Sequence, residues 1–366
     1  MRKFRRSTIL ILLLVSILLT GFTNAHASFL PEGFVYVTDF VPDAILEIRY
    51  YSTYNFVGAR VDDYLAPLAI LTREAAASLK QASDSLRDEG YVIKIFDAYR
   101  PQGAVDHFMR WGADPNDIST KEYFYPDLDK ATKIDPNISD VYIASRSGHT
   151  RGSTVDLTIV NRKTGKEVDM GSPFDFFGPI SAHDYSGIAN EQKANRLILK
   201  NAMDKAGFNA YNDEWWHYTL RNAPHSTLYF KFPVMRSAVI SWPLPPIIAS
   251  EAPEGIVGTN YKWTIEVNGT APISWTLNSG SLPDGLSMNN SGEISGTPTA
   301  TGKFDFTVIA ANVFADNIKP MSITIADDTG IGGCNAELGL IILTAAAAMV
   351  ALTRRYCFIK NASSSK

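Results

Sequence analysis

The stretch SWPLPPIIASEAPEG, residues 241–255, constrains this chain more than any other. Pro243, Pro245 and Pro246 make a stiff linker over 241–247. The sequence differs in kind on its two sides, so the 366 residues divide into separately built units. Before the linker, residues 28–240 mix helical and strand patterns. LTREAAASLKQASDSLRDEG predicts a helix, with Thr72 as N-cap and Gly90 as its stop, and Leu71, Ala75, Leu79 and Leu86 recur at helical spacing. YVIKIFDAY alternates and is rich in β-formers, and STVDLTIV reads the same way. NEQKANRLILKNAMDKAG predicts a second long helix ending at Gly207. These elements follow no regular βαβ repeat, which predicts an α+β unit with an antiparallel sheet.

After the linker, residues 248–326 change character. YKWTIEVNG, ISWTLNSG and KFDFTVIAAN are short alternating strands separated by turn-rich sequence such as LPDGLSMNNSGEISGTPTATG. That predicts a small all-β sandwich. Its pattern resembles the immunoglobulin-like modules of bacterial surface proteins, which implies a fold and leaves the ligand open.

The two ends read as targeting segments. In residues 1–27 a basic MRKFRR precedes the apolar ILILLLVSILLTGF and the small-x-small site AHA at Ala25–Ala27. That predicts a signal peptide, a mature chain starting near Ser28 and an exported body, with an uncleaved signal anchor as the alternative. In residues 327–366, Leu338–Leu352 is an apolar run of 15 residues, short for a full span, followed by Arg354 and Arg355. It is expected to anchor the chain in the membrane with its C-terminus in the cytoplasm, or to serve as a sorting signal cut near Cys334.

Composition narrows the chemistry. The net charge of −4 and the lack of a long basic run argue against a nucleic-acid partner. The only cysteines, Cys334 and Cys357, lie in the last tenth of the chain, so no disulfide and no cysteine-rich zinc site falls in the main unit. A transition-metal site there must use histidines and carboxylates, a set typical of open catalytic zinc.

Of six histidines, two have acidic company at useful spacing. SGHTRGSTVD carries His149 and Asp156, with Gly152 permitting a turn between them. EWWHY carries Glu214 and His217. Either pair alone could be a loop hydrogen bond or a core feature. Together they supply two imidazoles, one ligand carboxylate and one spare carboxylate, the parts of a mononuclear zinc hydrolase with an open water position and a general base. No H-E-x-x-H and no G-x-S-x-G occurs. His107, His183 and His225 are expected to have ordinary packed or surface roles.

SGHTRGSTVDLTIV and EWWHY, joined in order by YNFVGARVDDY, IFDAYRPQGAVDHFMRW, VDMGSPFDFF and GFNAYNDEWWHYTL, resemble the D-alanyl-D-alanine dipeptidases of the vancomycin-resistance type. The resemblance runs from about Asp43 to Pro233; Thr154 stands where family members often have alanine. It implies one Zn²⁺ per chain held by His149, Asp156 and His217, and Glu214 as the acid/base. It further implies Arg100 as the oxyanion stabiliser, Asp175 as partner of the substrate's free ammonium, and Ser147 and Tyr50 near the dipeptide. The implied reaction splits D-Ala-D-Ala into two D-alanines. A D,D-carboxypeptidase trimming peptidoglycan stems, a non-catalytic cell-wall binder, and a protein whose sandwich is the working part are the competing readings. Oligomeric state is not legible.

Overall fold

The computed structural model describes residues 30–135, 142–236 and 241–328. The expected signal peptide and the apolar C-terminal run lie outside the described residues. Among those residues, no helix is long and apolar enough to cross a membrane.

The first unit runs β1 (Phe34–Tyr36), β2 (Ile45–Leu46), β3 (Ile70–Thr72), α1 (Arg73–Asp88), β4 (Tyr91–Asp97), α2 (Gln102–Ala113), β5 (Thr154–Asn161), α3 (Asn190–Lys205), β6 (Phe208–Ala210), β7 (His217–Leu220) and β8 (Leu228–Phe230). Short helical turns lie between α2 and β5. Helix α1 begins where its cap dictates: the Thr72 hydroxyl accepts from the Ala75 amide at 3.3 Å. It ends just before Gly90, whose φ of +91° suits glycine. Its buried face is Ala75, Ala76, Leu79, Ala82, Ser83 and Leu86, and it packs on β4 and α3. Leu71, of helical spacing in the sequence, belongs instead to β3, which pairs with β1.

A five-stranded sheet of order β2-β4-β5-β7-β6 forms the core. All its pairings are antiparallel except β2 with β4, which is parallel. The expected antiparallel sheet thus carries one parallel pair at its edge. The chain between β2 and β4 passes through β3 and α1, a crossover long enough to bring β4 back in the same direction. Strand β5 is buried at every residue but Asn161, as a central strand covered on both faces must be.

The second unit consists of β9 (Ile247–Ile248), β10 (Gly255–Ile256), β11 (Tyr261–Thr264), β12 (Val267–Asn268), β13 (Ser274–Gly280), β14 (Leu286–Met288), β15 (Glu293–Gly296), β16 (Gly302–Ala311) and β17 (Ala315–Ala326). Sheets of order β10-β17-β16-β13 and β11-β15-β14 enclose a separate core that includes Trp275, Ile294, Phe306, Val308 and Ile323. The division is not clean. Strand β8 pairs antiparallel with the start of β17, and Phe314 and Ala315 are buried in the core of the first unit.

Candidate active site

Sheet register assembles the site. Asp97 at the end of β4 lies opposite Asp156 on β5, and Asp156 lies opposite His217 at the start of β7. A register shift between Ile95 and Asp97 brings Asp97 into that row. His149 arrives from a 3-10 turn, Gly148–Arg151, capped by Ser147, whose hydroxyl accepts from the His149 amide at 3.3 Å. The turn ends at Gly152 with φ +80°, where a Cβ would sit 2.3 Å from the Phe34 ring, so glycine is required on both counts. The chain then enters β5 with Asp156 facing the turn it has just left.

His149 Nε2 and His217 Nδ1 each stand 3.2 Å from Asp156 Oδ1 and 3.3 Å from each other. His149 is oriented by its other ring nitrogen, Nδ1, 2.7 Å from the Ala98 carbonyl oxygen. With Nδ1 donating there, Nε2 presents a lone pair to the cluster. Asp156 Oδ1 is buried and has no hydrogen-bond donor among the described residues. Two imidazole nitrogens and a carboxylate oxygen this close together need a shared positive charge, a proton or a metal ion. Burial opposes charge on His217, but Asp156 and Glu214 outweigh it and push that imidazole up to about 10. The cluster is built to hold positive charge. Its donors, two imidazole nitrogens and a carboxylate oxygen within 4.8 Å of one another, fit a divalent metal of the zinc class.

Glu214, three residues before His217, reaches its Nδ1 at 3.3 Å and is the most exposed of the four. Arg100 Nε donates to Asp97 Oδ2 at 2.9 Å, and its Nη2 lies 3.5 Å from both Asp156 Oδ2 and the Tyr50 hydroxyl. The Tyr50 hydroxyl donates to Asp175 Oδ2 at 2.9 Å. Asp175 is buried with φ +61°, a backbone conformation costly for a non-glycine residue. Burial first, then the Asp156 charge, raise its carboxyl well above the usual range, so it calls for a cationic partner. The residues singled out in the sequence therefore stand in one connected group. Ser147 joins it as the cap of the His149 turn. His107, His183 and His225 stand apart: His107 Nδ1 accepts from the Asp62 amide, and His225 stacks on Phe34.

Two features escaped the sequence reading. Asp97 holds Arg100, accepts from the Tyr64 hydroxyl at 2.5 Å and lies 3.6 Å from His149 Nδ1. Its one signal was its place three residues before Arg100 in IFDAYRP. The second is a cavity of about 640 Å³ against Glu214, walled by Phe176, Phe177, Tyr185, Tyr211 and Trp216. Its walls come from distant segments, so no local pattern announces it.

A mixed sheet presenting a His-Asp-His cluster with a further carboxylate at its rim has the parts of a metal-dependent hydrolase. A family profile described as D-ala-D-ala dipeptidase matches residues 31–235, and an Ig-domain profile matches residues 245–326. The D-alanyl-D-alanine dipeptidase of Enterococcus faecium is 41% identical over 202 residues, covering 55% of this chain and 98% of that protein. That of Streptomyces coelicolor is 40% identical over 201 residues, with shares of 55% and 98%. The Escherichia coli K12 enzyme of that name is 30% identical over 183 residues, with shares of 50% and 81%. This chain belongs to the D-ala-D-ala dipeptidase family and is a metallopeptidase, with an immunoglobulin-like module at its C-terminal side.

Proposed function

We propose that this chain hydrolyses D-Ala-D-Ala to two D-alanines, with one zinc ion per chain held by His149, Asp156 and His217. The convergence of two imidazole nitrogens on the partnerless Asp156 Oδ1 supports the metal assignment. Zinc supplies Lewis acidity and makes water more acidic when bound there. Glu214, at the rim of the cluster, takes the proton from the attacking water and passes it to the leaving amine. Arg100, held by Asp97, faces the charge that develops on the carbonyl oxygen. Asp175 receives the substrate's free ammonium, with the Tyr50 hydroxyl orienting the carboxylate. A non-catalytic binder would need neither Glu214 nor Arg100 at the cluster.

We place the reaction outside the cytoplasmic membrane, in cell-wall metabolism or glycopeptide resistance. The basic and apolar residues before AHA and the Arg354-Arg355 pair support export, with membrane attachment or sorting through the C-terminal segment. The D,D-carboxypeptidase reading is favoured by one observation, the aromatic cavity against Glu214, which offers room for a longer peptide.

Substrate choice separates the two. Asp175 is buried and, among the described residues, makes no direct ion pair, the Arg100 and Arg49 charges acting on it only from a distance, so a free ammonium before the scissile bond is rewarded and an acylated nitrogen is not. N-acetyl-D-Ala-D-Ala should be cleaved at least ~10²-fold less well in kcat/KM than D-Ala-D-Ala, and Asp175→Ala should narrow that gap. Preference for the acetylated substrate would replace the dipeptidase reading with the carboxypeptidase one.

A further inference from the structure

Strand β8 is held between the site and the sandwich. On one side, Leu228, Tyr229 and Phe230 pair with Asn317, Asp316 and Ala315 of β17. On the other, β8 packs against the 3-10 turn that presents His149, and Arg151 from that turn donates to the Ser226 carbonyl at 3.3 Å. Asp316 reaches across this seam. It is 8% exposed, and its carboxylate meets Arg146 Nη1 at 3.0 Å and Lys231 Nζ at 2.6 Å. The Arg146 guanidinium also lies 5.0 Å from the Tyr229 ring.

Arg146 immediately precedes Ser147, the cap of the His149 turn. A carboxylate from the sandwich thus holds the chain at the point where it enters the site. A second path starts from the same hairpin. Phe314 stacks on Phe232, which stacks on Tyr99 at 4.1 Å, and the Tyr99 hydroxyl donates to the Phe232 carbonyl. Tyr99 is the neighbour of Arg100. The residues Phe314–Asn317 therefore brace both the His149 turn and the segment bearing Arg100, although they lie outside the residues matched by the dipeptidase profile.

We propose that Asp316 is a positioning residue for the active site: through Arg146 it fixes the turn Ser147–Gly152 and hence His149, so the immunoglobulin-like module is part of the catalytic unit and not a tethered appendage. Removing this buried carboxylate is costly, because Arg146 and Lys231 then lose their common counter-charge.

The test uses the full chain with Asp316→Ala, Arg146→Ala and the double variant, and with Lys303→Ala on the exposed far part of the sandwich as control. Amide exchange is read at Thr150 and Gly152, which donate to Ser147 and His149 carbonyls. In Asp316→Ala both amides should exchange about tenfold faster while those of α1 do not change, and kcat/KM on D-Ala-D-Ala should fall about tenfold, the scale of one charge-assisted hydrogen bond. The double variant should be no worse than the worse single one, as expected for two residues acting through one contact. Arg146→Ala cuts the same tie from the other side and decides the matter if Asp316→Ala fails to fold. Unchanged exchange at Thr150 and Gly152 overturns the proposal, as does faster exchange with unchanged kcat/KM. The kinetic arm rests on the dipeptidase reading. If the wild type does not cleave D-Ala-D-Ala, that reading falls, and the exchange measurement alone decides the seam.

Discussion

At the residue scale, what distinguishes Glu214 from its neighbours is exposure. His149 and Asp156 are buried and His217 is partly so, whereas the Glu214 side chain retains 37% of its exposure at the rim of the cluster. A carboxylate that can exchange protons with water, yet stands within reach of the cluster, suits an acid/base better than a fourth ligand. Glu214→Ala should therefore keep its metal and lose ~10²–10⁴ in kcat, the usual contribution of such a group. Metal analysis beside steady-state kinetics checks this; a variant that lost the metal as well would make Glu214 a ligand. The sequence brought out Glu214 because it sits three residues from His217. It left Asp97 unremarked, because the importance of Asp97 comes from the β4–β5 register and not from its neighbours in the chain.

At the scale of elements, two devices carry functional side chains into place. One is the Gly152 turn, legible because glycine tolerates φ +80° and close approach. The other is Arg196 of α3, which nothing in the sequence marked. It is buried, and its guanidinium donates to the carbonyls of Met170 at 2.7 Å, Ile180 at 2.8 Å and Ala182 at 2.5 Å. Those carbonyls flank the loop that holds Asp175. A lysine cannot reproduce a planar fork with three separate targets, so Arg196→Lys leaves buried carbonyls unsatisfied at ~1–3 kcal/mol each. Thermal unfolding should show a clear loss of stability, and the KM for D-Ala-D-Ala should rise as the Asp175 loop loosens. An unchanged melting temperature would show that the loop holds itself.

At the scale of the whole molecule, pH acts through His183, a residue outside the metal cluster. Burial, with the nearby charges of Lys200 and Arg196, brings it down from 6.5 to about 4, and its Nε2 is buried without a hydrogen-bond partner among the described residues. The folded state thus prefers the neutral ring. Between pH 6.5 and about 4 the unfolded chain binds the proton more readily, so stability present above 6.5 falls as pH drops through that window. Urea midpoints measured from pH 7 to 4 should fall more steeply for the wild type than for His183→Gln. Parallel curves would mean that the ring titrates normally in the folded state.

The sequence alone placed the long helices and pointed to a set of histidines and carboxylates, because caps, glycine stops and hydrophobic period act within a few residues. The two long helices stand where Thr72, Gly90 and Gly207 place them, and the metal cluster draws on the histidines that carried acidic company. The tertiary structure decided what depends on distant partners. Strand register set Asp97 beside Asp156 and His217, and a crossover through α1 made one sheet pairing parallel. It also decided how the units meet. Pairing between β8 and β17 and the burial of Phe314 are long-range events, settled by hydrogen-bonding edges and apolar surface that no local pattern records.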